Sequence, residues 1–241
     1  VILFMEKNFS KIVALFDLDG VILDTEGQYT ELWDSIGIDF LGKKDFGFSI
    51  KGQTLVNIFE THFKDKSKHP EINQRLKDFE VNMNLPFVKG SKEFVLDLRK
   101  KGIKTAIVTS SSSNKMESVY KKIPDFKSMF DKILTAEMFA KGKPNPDCYL
   151  LGAKVFDAKI EDCVVFEDSF HGLQAGRSAK MKVVGLSTTN PKEKIIDKET
   201  KLQISTVQGM VQRILYNDGD RMPAVTDFDL VIIDEAHRGY I

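Results

Sequence analysis

Apolar residues follow two rhythms along this chain, and the rhythms alternate. Nearly continuous apolar runs lie at 12–16, 104–108, 132–136, 163–166 and 182–186, most of them stopping at polar or turn-forming residues. Runs of that length read as strands buried on both faces of a parallel sheet. Between them apolar positions recur with helical spacing: Phe94, Val95 and Leu98 ahead of Gly102, then the segments 149–156 and 173–179. Ser91 is expected to cap the first of these helices. The alternation predicts an α/β fold, a Rossmann-like parallel sheet with helices on both faces.

Residues 26–85 break the alternation. They hold no buried-strand run, and their apolar positions are helical throughout: Tyr29, Leu32, Trp33 and Ile36, then Leu55, Val56, Ile58, Phe59 and Phe63, then Leu76, Phe79 and Met83. We read them as a small α-helical cap inserted after the first strand, its aromatics packed among themselves. The expected division is a core of 9–25 and 86–195, a cap of 26–85, and a tail of 196–241 outside the pattern. Gly37-Ile-Asp-Phe-Leu-Gly-Lys43 fits part of a nucleotide phosphate loop. Lys44 stands where Ser or Thr belongs, and a helical pattern precedes it, so that reading is rejected.

Composition narrows the picture further. At 241 residues and 42% hydrophobic, the chain has enough apolar material for one sizeable core and a companion. A formal net charge of zero points to neither a polyanion nor a membrane surface. Two cysteines, Cys148 and Cys163, form no disulfide framework and suggest a reducing, cytoplasmic setting. The apolar start at 1–5 is too short for a signal segment, no run reaches the length of a membrane span, and Met5 fits as a natural start.

The chemistry sits at the ends of the apolar runs. Asp17 and Asp19 follow the first one; two residues apart on extended backbone, they share a side and repel unless a cation or shared proton relieves them. Oxygen ligands at close range favour a hard ion such as Mg²⁺. Taken alone, Asp-Leu-Asp-Gly is equally an ordinary turn. Other run ends supply complementary groups: Thr109 and Ser110 after the second, Glu167 and Asp168 after the fourth. Lys143 lies in the proline-bounded loop Gly142-Lys-Pro-Asn-Pro-Asp147. Carboxylates for a divalent ion, with a lysine and hydroxyls for anionic oxygens, make a phosphoryl-transfer site.

These segments carry a resemblance. Asp17-Leu-Asp-Gly-Val-Ile-Leu-Asp-Thr25, Val108-Thr-Ser110, Gly142-Lys-Pro-Asn-Pro-Asp147 and Val165-Phe-Glu-Asp-Ser-Phe-His-Gly172 resemble the four motifs of the haloacid dehalogenase superfamily. The branch most similar is the β-phosphoglucomutase-like phosphatases, over roughly residues 9–195. The resemblance implies an Mg²⁺-dependent phosphatase of small phosphorylated metabolites, sugar phosphates first among them, acting as a monomer with no membrane or nucleic-acid partner for the core. Asp17 would be the nucleophile and Asp19 the general acid and base. The Asp17 carboxylate, the Asp19 carbonyl and Asp168 would hold Mg²⁺, with Glu167 as a further ligand or a support behind them. Thr109 or Ser110 would bind phosphoryl oxygens and Lys143 would neutralise them. Asp24 and Thr25 would support the loop, and His171 would serve the first turn of a helix. Thr25, Tyr29 and Lys51 are weaker substrate candidates, Lys51 being expected as a solvated lysine.

A sugar-phosphate mutase is the alternative. Its pattern asks for an arginine where Leu55 stands and a histidine where Tyr29 stands, so both departures favour a phosphatase. The tail carries a different resemblance: Ser205-Thr-Val-Gln-Gly209 and Phe228-Asp-Leu-Val-Ile-Ile-Asp-Glu-Ala-His237 are similar to the DEAH-box helicase motor of type I restriction enzymes. There Asp234 would bind Mg²⁺ and Glu235 would polarise water. Without a phosphate loop the tail is expected to be an inactive fragment, or else to supply the sheet's edge strand from 229–233.

Overall fold

The computed structural model describes residues 11–51 and 53–190, together with the strand backbones at 202–205 and 230–233. Among the described residues seven strands form one sheet: β1 Val13–Phe16, β2 Lys104–Val108, β3 Lys132–Leu134, β4 Cys163–Glu167, β5 Lys182–Leu186, β6 Leu202–Ser205 and β7 Leu230–Ile233. Their order is β3-β2-β1-β4-β5-β7-β6, and every neighbouring pair is parallel. The α/β sheet expected from the alternating pattern is therefore present.

Continuous apolar strands arise because both sheet faces are covered. Ala14 and Phe16 of β1 join one cluster with Val164 and Phe166 of β4, while Val13 and Leu15 join the opposite cluster with Cys163 and Val165. Helices α5 Ser91–Lys100 and α6 Ser113–Lys122 close the first face through Val95, Leu98, Met116 and Val119. Helices α7 Asp147–Lys154 and α8 Phe170–Ser178 close the second through Tyr149, Ala153, Leu173 and Ala175. Phe16 stacks on Phe166 with ring centres 4.5 Å apart and meets Phe94 edge-on at 5.9 Å.

Between β1 and β2 come α1 Glu26–Leu41, α2 Phe46–Ser49, α3 Leu55–His62 and α4 His69–Asn82. They bury a cluster of their own, with Trp33, Ile36, Phe46, Ile58, Phe63, Ile72 and Leu76. The aromatic positions at helical spacing thus pack against one another. No helix among the described residues is long and apolar enough to cross a membrane.

Three local features differ from the sequence reading. Ser91 is the first residue of α5 rather than its cap; Gly90, at φ +83°, takes the cap position that a side chain would strain. The freed Ser91 hydroxyl donates to the Ile22 carbonyl at 2.9 Å, tying α5 to the turn after β1. Helix α6 had no expectation of its own. In the tail, the backbone of 230–233 pairs with β5 as expected of an added strand, but β6 pairs beyond it and forms the edge. Asp234, Glu235 and most of the helicase-like segment lie outside the described residues.

Candidate active site

The strand order turns at β1. Strands β2 and β3 build outwards on one side of it, β4 and β5 on the other, and in such sheets a crevice opens beyond the carboxyl ends at the turning point. The register pairs Phe16 with Phe166, and the Asp17 amide donates to the Phe166 carbonyl at 3.0 Å. Asp17 consequently leaves β1 beside Glu167, which leaves β4.

Lys143 joins the two. Its Nζ lies 2.6 Å from Asp17 Oδ1 and 2.5 Å from Glu167 Oε1, and its side chain is 1% exposed. The Tyr149 hydroxyl donates to the same Glu167 oxygen at 2.9 Å. The other oxygen, Oε2, accepts from the Asp168 amide and from the amide and hydroxyl of Ser169. Glu167 is thereby saturated and acts as an anchor behind the front row. A Cβ on Gly172 would lie 1.8 Å from Glu167 Oε1, so only glycine leaves room for that anchor.

Asp168 is the opposite case. Both its oxygens are buried without a well-formed hydrogen bond among the described residues. Burial first, then the charges of Glu26, Glu167 and Asp17, push its pKa far above the carboxylate range, and the nearby Thr189 hydroxyl offsets only part of this. Burial also raises Asp17, to about 8; Lys143 opposes the rise, while Glu167 and Asp19 add to it. Burial works against the charge of Lys143, yet Asp17 and Glu167 outweigh it and raise its pKa. One lysine thus faces three carboxyls, and with all three ionised the surplus would be negative.

A hard divalent cation fits that surplus. Oxygens of Asp17, Glu167 and Asp168 lie within 4.8 Å of one another, and the orphaned Asp168 oxygens are the hard ligands such an ion takes. A Cβ on Gly20 would come within 2.0 Å of Asp168 Oδ2, so a side chain there would fill the cradle. Gly20 also sits at φ +76°, which lets the chain turn sharply after β1.

Asp19 is held separately. Lys115 Nζ lies 2.5 and 2.6 Å from its two oxygens, Ser111 donates to Oδ2 at 3.0 Å, and the Thr25 hydroxyl donates to Oδ1. Lys115 is only 2% exposed and stands 4.3 Å from the centre of the Tyr29 ring. Tyr29 in turn donates to Glu80 at 3.1 Å. Lys51 pairs with Glu26 at 3.0 Å, and its carbonyl meets the His171 ring at 2.7 Å, which joins α8 to the helical layer. Lys51 is thus partly buried and paired rather than solvated.

Asp17, Asp19, Thr109, Ser110 and Lys143 line one face of a cleft of about 1080 Å³; Tyr29, Lys51 and Leu55 line the face formed by the helical layer. Glu167 and Asp168 stand behind the first face, and Thr25 is fully buried against Asp19 rather than open to the cleft. Sequence reasoning passed over Lys115, Ser111, Glu26 and Glu80. Lys115 had a signal: it lies four residues before Val119 and next to Met116, on the buried stripe of α6, where an unpaired lysine would be costly.

The geometry agrees with comparisons to known proteins. A family model described as haloacid dehalogenase-like hydrolase matches residues 13–180. A β-phosphoglucomutase of Bacillus subtilis is 28% identical over 194 residues, 74% of this chain and 84% of that protein. A bifunctional riboflavin kinase/FMN phosphatase of Arabidopsis thaliana is 29% identical over 196 residues, 75% of this chain. The chain spans 49% of that protein's length, and 18% of a second Arabidopsis relative, the chloroplastic protein SUPPRESSOR OF QUENCHING 1, at 29% identity over 76% of this chain. The solved structure of a putative β-phosphoglucomutase from Bacteroides vulgatus shares the fold, with a TM-score of 0.66 at 21% identity over 92% of this chain and 83% of that one. The chain belongs to the haloacid dehalogenase-like hydrolase family.

Proposed function

We propose that this protein is a phosphatase of small phosphorylated metabolites, sugar phosphates first among them, which uses Mg²⁺ and passes through an aspartyl-phosphate. One observation carries the reading: Asp17, paired with Lys143 at 2.6 Å, stands at the end of β1 beside an Asp168 carboxylate that has no well-formed hydrogen bond among the described residues. The core would be 9–25 with 86–195, and 26–85 would be a cap that selects the substrate across the cleft.

The chain's own groups divide the work. An Asp17 oxygen attacks phosphorus while the bond to the leaving oxygen breaks, and Asp19 gives that oxygen a proton. Water then attacks the aspartyl-phosphate, Asp19 takes its proton, and the bond between phosphorus and the Asp17 oxygen breaks to release phosphate. Lys143, with Thr109 or Ser110, would bind the non-bridging oxygens as charge accumulates on them. Asp17, the Asp19 carbonyl and Asp168 would hold Mg²⁺, with Glu167 orienting Lys143 and Asp168 from behind. When bound, the ion offsets negative charge on the phosphoryl oxygens. Leu55 and Tyr29 on the cleft wall support hydrolysis over sugar-phosphate transfer, since the mutase pattern expects arginine and histidine there.

The test is phosphate release from a panel of sugar phosphates and other phosphomonoesters, with Mg²⁺ or with a chelator. Asp17→Asn should lower the Mg²⁺-dependent rate by at least about a thousandfold while the fold persists. Isomerisation of glucose 1-phosphate without phosphate release would replace hydrolysis by the mutase reaction.

A further inference from the structure

We infer that Lys115 is a positioning residue that fixes the orientation of the Asp19 carboxylate and ties it to the helical layer through Tyr29. The inference rests on the phosphatase reading, in which Asp19 delivers a proton to the leaving oxygen.

The ammonium group straddles the carboxylate, 2.5 Å from one oxygen and 2.6 Å from the other. An ammonium so placed restrains the carboxylate at two points and opposes its rotation. Two neutral donors take one oxygen each, Thr25 on Oδ1 and Ser111 on Oδ2. Lys115 itself has little freedom. It is 2% exposed, and its amide hydrogen-bonds the Ser112 hydroxyl that caps α6. The Tyr29 ring of α1 lies 4.3 Å from Nζ, so the cation is held between the carboxylate and an aromatic face. Tyr29 is fixed in its turn by the bond to Glu80 on α4.

An acid that must meet a leaving oxygen works only within a narrow range of distance and angle. Without Lys115, Asp19 would keep two single-point hydrogen bonds and could rotate about its side-chain torsions. The loss should therefore appear where protonation of the leaving group matters. Alkyl phosphates need that proton; p-nitrophenyl phosphate expels a stable anion and hardly does.

The experiment measures the first turnover of the full chain with Mg²⁺, on p-nitrophenyl phosphate and on the best alkyl or sugar phosphate found. Lys115→Met should slow bond cleavage in the alkyl substrate about 10-fold to 100-fold, with KM changed less than about threefold, and should slow p-nitrophenyl phosphate less than about threefold. Lys115→Gln keeps two N–H donors, so it should recover part of the loss and covers the case in which the methionine variant does not fold. Equal slowing of both substrates, or a change in KM alone, would overturn the inference. Asp19→Asn is the reference: if it discriminates between the substrates and the Lys115 variants do not, the inference fails while the phosphatase reading stands. If the unaltered chain cleaves neither substrate, both fall together.

Discussion

Lys143 at the sheet's end and Arg75 on the helical layer are, on paper, the same device: one cation holding two carboxylates. Lys143 holds Asp17 and Glu167 with 1% of its side chain exposed; Arg75 holds Asp39 at 2.5 Å and Glu71 at 3.3 Å with 35% exposed. Water separates the two cases. Beyond the strands Lys143 is the one cation paired with Asp17 and Glu167 among the described residues, and both acids are buried, whereas Asp39 and Glu71 stay largely hydrated whether or not Arg75 is present. The sheet's end is organised by charge, and the helical layer by aromatic packing, with Trp33, Phe46 and Phe63 meeting at ring-centre distances of 5.7 to 6.3 Å.

Removing one cation from each region should expose the difference. Lys143→Met leaves Asp17 and Glu167 buried without their cation beside Asp168, a loss of about 3–5 kcal/mol. In a domain of this size that lowers Tm by roughly 6–20 °C. The cost should be smaller below about pH 8, where Asp17 holds its proton, and should grow between about pH 7 and pH 9 as Asp17 gives that proton up. Thermal melts of the variant and the unaltered chain across that range would check it, and a flat difference would mean the acids are better solvated than their burial implies.

A second intervention adds charge instead of deleting it. The Asp17 pKa of about 8 in the fold exceeds the ordinary value near 4, so the folded state holds this proton more tightly than the unfolded chain does. That contribution to stability is full below about pH 4 and is lost as the pH rises through about 8. A divalent ion needs the deprotonated carboxylate and should reverse the trend. The rise in Tm on adding Mg²⁺ should therefore grow between about pH 5.5 and pH 8.5. It should reach the equivalent of about 2–3 kcal/mol at 100 times Kd. Aspartates of the helical layer such as Asp39 should contribute nothing to that shift.

The same contrast explains what could be read from residues alone. Strand β1 was legible because Ile12 to Phe16 is apolar on both faces, and Asp17 because it ends that run at the turning point of the sheet. The helices of residues 26–82 were legible from spacing, and their aromatics do pack together. Partner choice was not legible. Nothing local says that Lys115 meets Asp19, 96 positions away, since that contact exists only once α6 lies beside the turn after β1. Lys51 resembles any solvated lysine until Glu26 and the Phe48 ring, 5.7 Å from its Nζ, are placed around it. Ser91 has the composition of a cap, yet Gly90 can adopt φ +83° and so takes the position one residue earlier. β6 lies at the edge because β7 stands between it and β5, a spatial order that no strand pattern encodes.

The smallest expected effect is the sharpest control. Arg75→Met breaks two ion pairs, as Lys143→Met does, but in the solvated region. Exposed pairs contribute about 0.2–1 kcal/mol, and this one shares its gain between two carboxylates that are 47% and 60% exposed. Methionine also keeps apolar bulk over the Phe40 ring, which now lies 5.2 Å from the guanidinium carbon. Urea melts at low salt should thus show a loss below about 1 kcal/mol, and about 1 M NaCl should nearly erase it through screening. Salt should leave most of the Lys143→Met loss in place, because ions in solution do not reach a lysine that is 1% exposed. If the two variants responded to salt alike, burial would not be what separates them, and the site's surplus of negative charge would be relieved by water rather than by a bound cation.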